Sequence, residues 1–376
     1  MRVLITGGAG FIGRHLVQAL LGDGNTVRVL DTLSPQVHGP EARIPIELAD
    51  VEVIRGDIRD PDTVSLALAD MEAVVHLAAE TGVGQSMYEV SRYVDVNDRG
   101  TACLLEGLVR QQRAIPFVLA SSRAVYGEGL YHCPRCGDVS PQAREAAALE
   151  RGAWDPLCPV CAGAITSAPT HEDAQPRPGS VYAATKLAQE HLCQIVADAY
   201  GMPLTILRLF NVYGPGQSLS NPYTGILSTF YTRAASGKAI AVYEDGEESR
   251  DFVFVGDVVE AMRRSLLRAV RPRQHILNVG SGTAISIADL ARMMIRMGNW
   301  DVPIEITGAY RVGDIRHARA DIRRLQQQLE MTVPTPLETG LRQWLDWAAG
   351  AARQDATDQA MNELASRGLY RRSHIR

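Results

Sequence analysis

The stretch LITGGAGFIG, residues 4–13, decides the fold of this chain. It joins an apolar, β-branched run to an amphipathic stretch at 11–22, so its spaced glycines fall at the turn between a first strand and a first helix. Glycines let the backbone pass close to a pyrophosphate, whose charge the helix amides and dipole then bind. The loop is therefore predicted to bind a dinucleotide. Its predicted cofactor-binding residues are Gly7, Gly10, Phe11, Ile12 and Gly13.

Apolar runs and amphipathic stretches alternate along the first half of the chain. The runs are RVLIT, TVRVL, VEVIR, AVVHLA and PFVLASS. Continuous apolar strands fit a parallel sheet with helices on both faces. We therefore expect an α/β fold with a doubly wound parallel sheet, a Rossmann domain over residues 1–211 that an insertion at 129–178 interrupts. Residues 212–350 are expected to form a smaller α+β substrate lobe, and 351–376 a frayed C-terminal tail without an assigned function.

Charge and hydropathy exclude several classes of partner. The 376 residues carry 38 Lys and Arg against 43 Asp and Glu, a formal net charge of −5. No global positive field exists to attract nucleic acid or an anionic membrane. The first strand follows Met1 without a secretory signal, and the apolar runs fall short of the ~18 residues that span a bilayer. These features predict a cytoplasmic protein with neither nucleic acid nor a membrane as a partner.

Polar residues end the next strands at the edge where ligands bind in such sheets. TVRVLD ends in Asp31, whose carboxylate can accept hydrogen bonds from the adenosine ribose of NAD and would repel the 2′-phosphate of NADP unless Arg28 intervenes. An Asp that only caps the following turn is the alternative. GDIRD at 56–60 and HLAAE at 76–80 end the third and fourth strands. The residues expected to line NAD here are Asp31, Asp57, Ile58, Leu77, Ala78 and Ala79.

A tyrosine and a lysine are spaced for proton transfer. SVYAATK places Tyr182 and Lys186 four residues apart on one predicted helix, so both side chains lie on one face. An ammonium nearby stabilises a phenolate, and we expect it to lower the pKa of Tyr182. An isolated Y-x-x-x-K usually decorates a solvated helix, but this one follows a dinucleotide loop and Ser122 at the end of the fifth strand. These three residues are predicted to be catalytic.

These motifs, in order over residues 1–345, resemble the extended short-chain dehydrogenase/reductase family, specifically its NAD-dependent nucleotide-sugar epimerases and dehydratases. Further motifs of this likeness are Asn97 with GT at 100–101, SSRAVYG, LRLFNVYGPGQ, SRDFVFVGDV and RVGD. The catalytic trio that the resemblance implies is Ser122, Tyr182 and Lys186. It also implies a homodimer through helices near 98–112 and 181–200, although these apolar faces equally suit the core of one chain.

The resemblance also assigns residues to cofactor and substrate. It implies that Asn97, Tyr182 and Lys186 contact tightly bound NAD, and that Asn97 also helps to hold the active-site helix. The residues that it implies for a nucleotide-diphosphate sugar are Asn211, Arg250 and Arg311. Two guanidinium forks pair well with pyrophosphate oxygens, with surface ion pairs as the alternative role of both arginines.

The two residues after Ser122 limit which of the family's reactions the chain can catalyse. Dehydratases of the family carry an Asp-Glu pair there, because eliminating water needs a further acid and base. Arg123 and Ala124 occupy these positions, which favours 4-epimerisation through a 4-keto sugar that is re-reduced on its opposite face. AAETGVGQSMYEVSRYVDVN and the cysteine-bearing insertion resemble the dTDP-L-rhamnose 4-epimerases, which form dTDP-6-deoxy-L-talose. The alternatives are a UDP-sugar 4-epimerase, acting on UDP-glucose or UDP-glucuronate, and a non-catalytic NAD-binding regulator.

The insertion carries two C-x-x-C pairs, CPRCG at 133–137 and CPVCAG at 158–163, separated by 21 residues. Four thiolates at this spacing predict a structural zinc ribbon, with redox-active pairs as the alternative. The segment holds more acidic than basic residues, which opposes nucleic-acid binding. The predicted metal ligands are Cys133, Cys136, Cys158 and Cys161. The lone Cys103 and Cys193 are expected in the apolar core.

Overall fold

The computed structural model describes residues 1–39, 41–219, 225–268, 274–331, 334–351 and 357–373. The strands are β1 (Arg2–Thr6), β2 (Thr26–Asp31), β3 (Glu52–Arg55), β4 (Ala73–His76), β5 (Phe117–Ser122), β6 (Tyr131–Cys133), β7 (Gly137–Val139), β8 (Thr166–Ser167), β9 (Leu204–Leu209), β10 (Asn211–Tyr213), β11 (Ile240–Val242), β12 (Ser249–Phe254), β13 (Gln274–Val279), β14 (Ala284–Ser286), β15 (Ile304–Ile306), β16 (Ala309–Arg311) and β17 (Tyr370–Arg372). The helices are α1 (Phe11–Gly22), α2 (Pro35–His38), α3 (Pro61–Leu68), α4 (Val83–Ser86), α5 (Val90–Tyr93), α6 (Gly100–Arg110), α7 (Ala146–Glu150), α8 (Val181–Tyr200), α9 (Ile226–Ala234), α10 (Val255–Arg268), α11 (Ile287–Gly298), α12 (Arg323–Leu329), α13 (Leu337–Gly350) and α14 (Thr357–Ser366). Shorter helical turns are the 3₁₀ turns Ile46–Leu48 and Arg123–Tyr126 and the π turn Val94–Arg99.

Seven strands pair in parallel into one sheet, in the order β3-β2-β1-β4-β5-β9-β13. Their continuous Val, Ile and Leu residues suit a sheet that helices cover on both faces. The strand order reverses between β1 and β4, and the carboxyl ends of both strands lie at the same edge. Ligands bind at such a switch point in open α/β sheets. The predicted doubly wound Rossmann sheet is confirmed.

The strand β13 corrects the predicted domain boundary at residue 211. It pairs with β9 along its whole length, from Gln274 opposite Leu204. The helix before it, α10, buries Val258 in the same apolar core as Leu16 of α1. Residues 255–279 therefore belong to the parallel-sheet domain, and the segment 212–350 is not one continuous lobe. An apolar strand pattern does not reveal which sheet the strand joins, so the sequence misassigned this segment.

A smaller substrate lobe surrounds a second apolar core. Helices α9, α11 and α13 pack there against the sheets β10-β12-β14 and β11-β15. Trp344 is fully buried, and Tyr231 meets it edge to face with 5.5 Å between ring centroids. Such large aromatic side chains supply much of the buried apolar area of a small core.

The insertion predicted at 129–178 folds around a small sheet of order β7-β6-β8. Along the chain, its helix α7 lies between β7 and β8. Arg144 docks it on the substrate lobe. The Arg144 side chain is 3% exposed and pairs with both carboxylate oxygens of Glu244, at 2.7 and 2.8 Å. A buried bidentate ion pair fixes the relative orientation of its two side chains. Separating them would leave an unpaired charge in the interior, which is costly.

The C-terminal tail is folded over residues 357–373, so the expectation of a frayed end is wrong for this part. β17 pairs antiparallel with β16, and α14 buries Leu364. A weak apolar pattern is sufficient for the tail to fold, because the rest of the chain offers a surface that covers its apolar side chains. No helix in the described part of the chain is both long and apolar enough to cross a lipid bilayer.

Candidate active site

One cavity of about 1110 Å³ opens at the carboxyl edge of the parallel sheet. The glycine loop, the ends of several sheet strands and the first turns of α8 form its walls. The residues predicted from the sequence that line it are Gly7, Gly10, Phe11, Ile12, Gly13, Asp31, Asp57, Ile58, Leu77, Ala78, Ala79, Ser122, Tyr182 and Lys186. The structure therefore brings the predicted cofactor loop and the predicted catalytic trio into one space.

The glycine loop leaves no room for side chains. Gly7 has φ +70°, and a Cβ on it would lie 2.7 Å from the backbone nitrogen of Ala78. A Cβ on Gly13 would lie 2.6 Å from the backbone of Gly8. The first turn of α1 lines the cavity directly after this loop, so its free amides and dipole favour an anion. This cradle fits the pyrophosphate of a dinucleotide.

Asp31 caps the turn after β2, which was the alternative that the sequence left open, and it also lines the cavity. Its carboxylate accepts hydrogen bonds from the backbone amides of Ala9, at 3.1 Å, and Leu33, at 2.8 Å. These bonds tie the glycine loop to the turn after β2. The residue also lines the cavity, with Nε2 of His38 at 3.6 Å from its carboxylate. A carboxylate in this place suits the two hydroxyls of a ribose and opposes a 2′-phosphate.

The predicted catalytic residues come together from β5 and α8. Ser180 caps α8 by accepting a hydrogen bond from the amide of Ala183 at 3.1 Å, which puts Tyr182 in the first turn. Ser122 and Tyr182 both line the cavity, and the side chain of Ser122 favours the ionised form of the Tyr182 phenol. Lys186 lies one turn later, is buried, and donates from Nζ to the carbonyl oxygen of Ala120 at 2.9 Å.

The expected effect of Lys186 on the tyrosine is not what the structure gives. Burial raises the pKa of Tyr182, and the neighbouring Ser122 hydroxyl only partly offsets this. Burial also lowers the pKa of Lys186 to about 8. The ammonium is desolvated and donates to the backbone of Ala120, and the lowering of the Tyr182 pKa expected from it is absent. Ser122 is the group that favours the phenolate.

Buried polar residues that the sequence analysis missed hold this trio. Ser121, the neighbour of Ser122, donates its hydroxyl to Glu190, one turn beyond Lys186 on α8. Glu190 is paired in turn with Arg208 of β9. The available signal was a charged residue inside the apolar run LTILRL, because a buried charge requires a partner. Neither the partner nor its place could be derived from spacing.

Asn97 is placed differently from the prediction. It is fully buried and does not line the cavity. Its side-chain amide donates to Thr185 of α8 at 3.0 Å and to the carbonyl oxygen of Glu80 at 3.2 Å, and its oxygen accepts from the amide of Glu80 at 2.8 Å. Asn97 therefore holds the active-site helix, as expected. The predicted direct contact with the cofactor is corrected, because Asn97 supports the wall of the cavity and does not line it.

The predicted substrate residues lie outside the lining of the large cavity. Arg250 and Arg311 converge on Asp314, with 3.1 Å to one carboxylate oxygen and 2.7 Å to the other. Burial opposes ionisation of Asp314, but the two guanidiniums hold its pKa well below the usual range. Asn211 begins β10 between Phe210 and the cavity residue Val212. Two convergent guanidiniums on a shared carboxylate form a locally positive, ordered surface that suits a diphosphate.

Several cavity residues were missed by the sequence analysis. Glu80 directly follows HLAA, and Arg14 follows the last glycine of the loop, so adjacency to a motif was the available signal. Arg14 donates to the carbonyl oxygen of Gly216 at 2.7 Å and thereby brings the segment after β10 against the glycine turn. Gln217 and Trp347 reach the cavity from distant parts of the chain, which spacing cannot reveal. Others are Thr32, Ser34, His38, Arg43 and Thr81.

The four predicted metal-ligating cysteines cluster. Their sulfur atoms all lie within 4.8 Å of one another, and those of Cys133 and Cys161 are 3.6 Å apart. Zn–S bonds of ~2.3 Å in a tetrahedron place the sulfurs about 3.8 Å apart, so the donor set fits zinc. Hydrogen bonds from the backbone amides of Cys161 and Val160 lower the pKa of Cys158 to about 7. Cys193 is buried and Cys103 half-buried.

A family model described as the NAD dependent epimerase/dehydratase family matches residues 3–146 and 160–280. These ranges contain the glycine loop, Ser122, Tyr182 and Lys186. The chain belongs to this family. Membership in the NAD-dependent epimerase/dehydratase family confirms the resemblance that the motifs carried.

This epimerase/dehydratase family member is similar to named epimerases along most of its length. The dTDP-L-rhamnose 4-epimerase of Burkholderia thailandensis is 40% identical over 353 residues, which cover 93% of this chain and 95% of that protein. UDP-glucuronate 4-epimerase 3 of Arabidopsis thaliana is 29% identical over 93% of this chain and 76% of its own length. The structure of UDP-glucuronic acid 4-epimerase from Bacillus cereus, in complex with UDP-glucuronic acid and NAD, has a TM-score of 0.75 at 27% identity and covers 93% of this chain and 99% of that one. The predicted epimerase class agrees with these matches, and NAD agrees with the cofactor in the solved neighbour.

Proposed function

We propose that this chain is an NAD-dependent nucleotide-sugar 4-epimerase that converts dTDP-L-rhamnose to dTDP-6-deoxy-L-talose. The observation that carries the proposal is that Ser122, Tyr182 and Lys186 line the same cavity as the glycine loop. Oxidation of an alcohol carbon needs a proton acceptor beside a hydride acceptor, and the cavity is large enough for both ligands. The 40% identity to a named dTDP-L-rhamnose 4-epimerase supports the choice of sugar.

The chain's own residues divide the work. The glycine loop and the first turn of α1 would hold the pyrophosphate of NAD, Asp31 its adenosine ribose, and Lys186 its nicotinamide ribose. NAD, when bound, supplies the acceptor and donor of the hydride at C4 of the sugar. Tyr182 takes the proton of the C4 hydroxyl, while Ser122 donates a hydrogen bond to the oxygen as its charge develops. Tyr182 then returns the proton after the keto sugar has turned its other face.

Dehydration of the sugar is disfavoured by the residues that follow Ser122. Arg123 donates to the carbonyl oxygen of Gly127, and Ala124 has no proton to exchange. Burial lowers the pKa of Arg123 to about 10, so the guanidinium stays charged at neutral pH. Neither residue can serve as the additional acid or base that elimination of water requires.

A UDP-sugar is the second candidate substrate. It is favoured by the Bacillus cereus neighbour, whose structure contains UDP-glucuronic acid. The experiment incubates the NAD-loaded protein separately with dTDP-L-rhamnose, UDP-glucose and UDP-glucuronate and follows the sugar protons by NMR. We expect inversion at C4 of dTDP-L-rhamnose. Inversion of a UDP-sugar alone would overturn the choice of substrate, and an NAD-bound protein that turns over none of the three would support the regulator instead.

Two further features belong to this proposal. The cysteine cluster holds a structural zinc ion, which would stabilise an insertion too small to build a large core. The second is a homodimer through α6 and α8, as the family resemblance implies; in it, the partner helix would cover Ile195 of α8, which is 67% exposed. Its cytoplasmic location stays a prediction from the sequence.

A further inference from the structure

The C-terminal segment, residues 357–373, contacts all three parts of the chain. In the parallel-sheet domain, Leu364 packs over Gly84, where a Cβ would lie 3.3 Å from it. In the insertion, Glu150 forms an ion pair of 3.0 Å with Arg371. In the substrate lobe, β17 adds a strand to β16. The segment therefore joins these three parts.

The contacts in the substrate lobe centre on Tyr243. Its ring lies against that of Tyr370, with 5.5 Å between the centroids. Its hydroxyl donates to the sulfur of Met361 at 2.9 Å. Both partners come from the C-terminal segment, so the position of the Tyr243 ring depends on how that segment docks.

Arg311 is held by the same contacts. Its backbone pairs with that of Tyr370 in the β16–β17 ladder. Its guanidinium lies over the Tyr243 ring, 5.6 Å from the centroid, where the ring face attracts a cation. On the other side, Asp314 accepts hydrogen bonds from it and from Arg250. The Arg311 side chain remains 41% exposed, so it can meet a ligand without leaving these contacts.

We propose that the C-terminal segment positions Arg311 for the diphosphate of the nucleotide sugar, with Tyr370 and Met361 as positioning residues that act through Tyr243. This inference rests on the proposed function, because it takes Arg311 as a diphosphate ligand. A guanidinium that is already fixed in its fork geometry loses less conformational freedom when it binds, so affinity rises. The contacts of the C-terminal segment with Gly84, Glu150 and β16 involve none of the three residues of the catalytic trio.

The effect should therefore appear in substrate affinity and not in the chemical step. In the full-length, NAD-loaded protein, Tyr370→Ala is expected to weaken binding of dTDP about 10-fold and to raise KM for the nucleotide sugar to the same extent. NAD content and kcat should change less than about 2-fold. An unchanged KM and dTDP affinity would overturn the inference. So would a fall in kcat or NAD content as large as the change in KM, since that pattern indicates general disruption.

A matched pair of variants tests the docking itself. Leu364 is 3% exposed, whereas the adjacent Ala365 is exposed on the same helix. Leu364→Asp should weaken dTDP binding as Tyr370→Ala does, and Ala365→Asp should leave it unchanged. Equal effects of the two aspartates would contradict a role for docking.

A double-mutant cycle tests whether the segment acts through Arg311. In an Arg311→Ala background, Tyr370→Ala should weaken dTDP binding by less than about 2-fold more. Full additivity of the two effects would overturn the inference. Calorimetry with dTDP and with UDP on the unaltered protein separates this test from that of the proposed function. If neither nucleotide binds, the proposed function fails; if one binds and the variants bind it equally well, only the inference fails.

Discussion

Glu190 and Arg208 form an ion pair of 2.7 Å that solvent hardly reaches, with side chains 1% and 4% exposed. Glu190 stands on α8, one turn beyond Lys186, and accepts a second hydrogen bond from Ser121, the neighbour of Ser122. Glu190 therefore holds α8 against β9 through the ion pair and against β5, the strand of Ser122, through the hydrogen bond. At this depth, loss of one partner leaves an uncompensated buried charge.

Glu190→Gln should consequently lower the free energy of unfolding by about 3–5 kcal/mol. Glu106→Gln is the matched control, because Glu106 pairs with Arg110 on the surface, and its loss should cost under ~1 kcal/mol. Urea unfolding of both variants measures the difference. Equal effects of the two substitutions would show that the buried pair has no special weight. A double variant, Glu190→Gln with Arg208→Met, should recover part of the stability.

Tyr182→Phe should lower kcat by about 10²–10⁴-fold while NAD stays bound, because the proposed mechanism uses the phenol oxygen as the proton acceptor. Tyr200→Phe, an exposed tyrosine on the same helix, should behave as the unaltered protein does. Turnover by NMR and the absorbance of bound cofactor supply the two readouts. Full activity of Tyr182→Phe would refute the assigned mechanism.

Asp31→Asn should weaken NAD binding roughly 10-fold or more and reduce the preference over NADP. The substitution removes a charged acceptor that serves both Ala9 and Leu33 and faces the cavity. Reconstitution of the cofactor-free protein with each dinucleotide measures the ratio of affinities. Asp50→Asn, at an exposed position after the turn Ile46–Leu48, is the control. A preference that stays unchanged would remove Asp31 from the selection of the cofactor.

The cysteine cluster should hold about one zinc ion per chain. Cys158→Ser should lower metal content and thermal stability, because the ribbon would lose one of four ligands. Cys103→Ser, a change at a cysteine outside the cluster, should retain the metal. Elemental analysis together with a thiol count distinguishes zinc from its rival. A metal-free protein with two disulfides would favour redox-active C-x-x-C pairs.

Glu248 should make stability depend on pH. It is 6% exposed, and its Oε2 has no hydrogen-bond partner among the described residues. Burial, reinforced by Glu244, raises its pKa from 4.5 to about 7. The folded protein therefore binds an extra proton between these values, so its stability falls as the pH rises through this window, by at most about 3 kcal/mol.

Glu248→Gln should remove this slope and stabilise the protein at pH 8, with little effect at pH 4.5. Glu247→Gln, at the exposed neighbouring position, should leave the slope intact. Thermal unfolding from pH 4.5 to 8 measures both. Parallel pH profiles of Glu248→Gln and the unaltered protein would contradict the assignment.

Local patterns explain how much of the molecule the sequence could predict. The turn between β1 and α1 allows only glycine at Gly7 and Gly13, so its spacing was informative. Tyr182 and Lys186 share a helix face, which fixes their relation regardless of the rest of the fold. The two cysteine pairs are local as well, and their sulfur atoms meet as predicted.

The features that the sequence could not predict depend on contacts between distant segments. Glu190 and Arg208 reside on separate elements, and only the folded chain shows that they meet. Burial raises the pKa of Tyr182 more than the neighbouring Ser122 lowers it. The extent of this burial depends on the assembled cavity. The tail folds because other parts of the chain cover Leu364.

Because β13 joins the parallel sheet only after the chain has passed through the second lobe, the chain connects the two lobes more than once. The chain builds β10 to β12 outside the parallel sheet before it comes back to complete that sheet. A fragment that stopped at residue 211 would leave the six-residue edge of β9 bare and prone to pair with other molecules. Heat or denaturant should therefore unfold both lobes in one transition. Any opening that admits a sugar nucleotide has to bend several of the chain segments that connect the lobes.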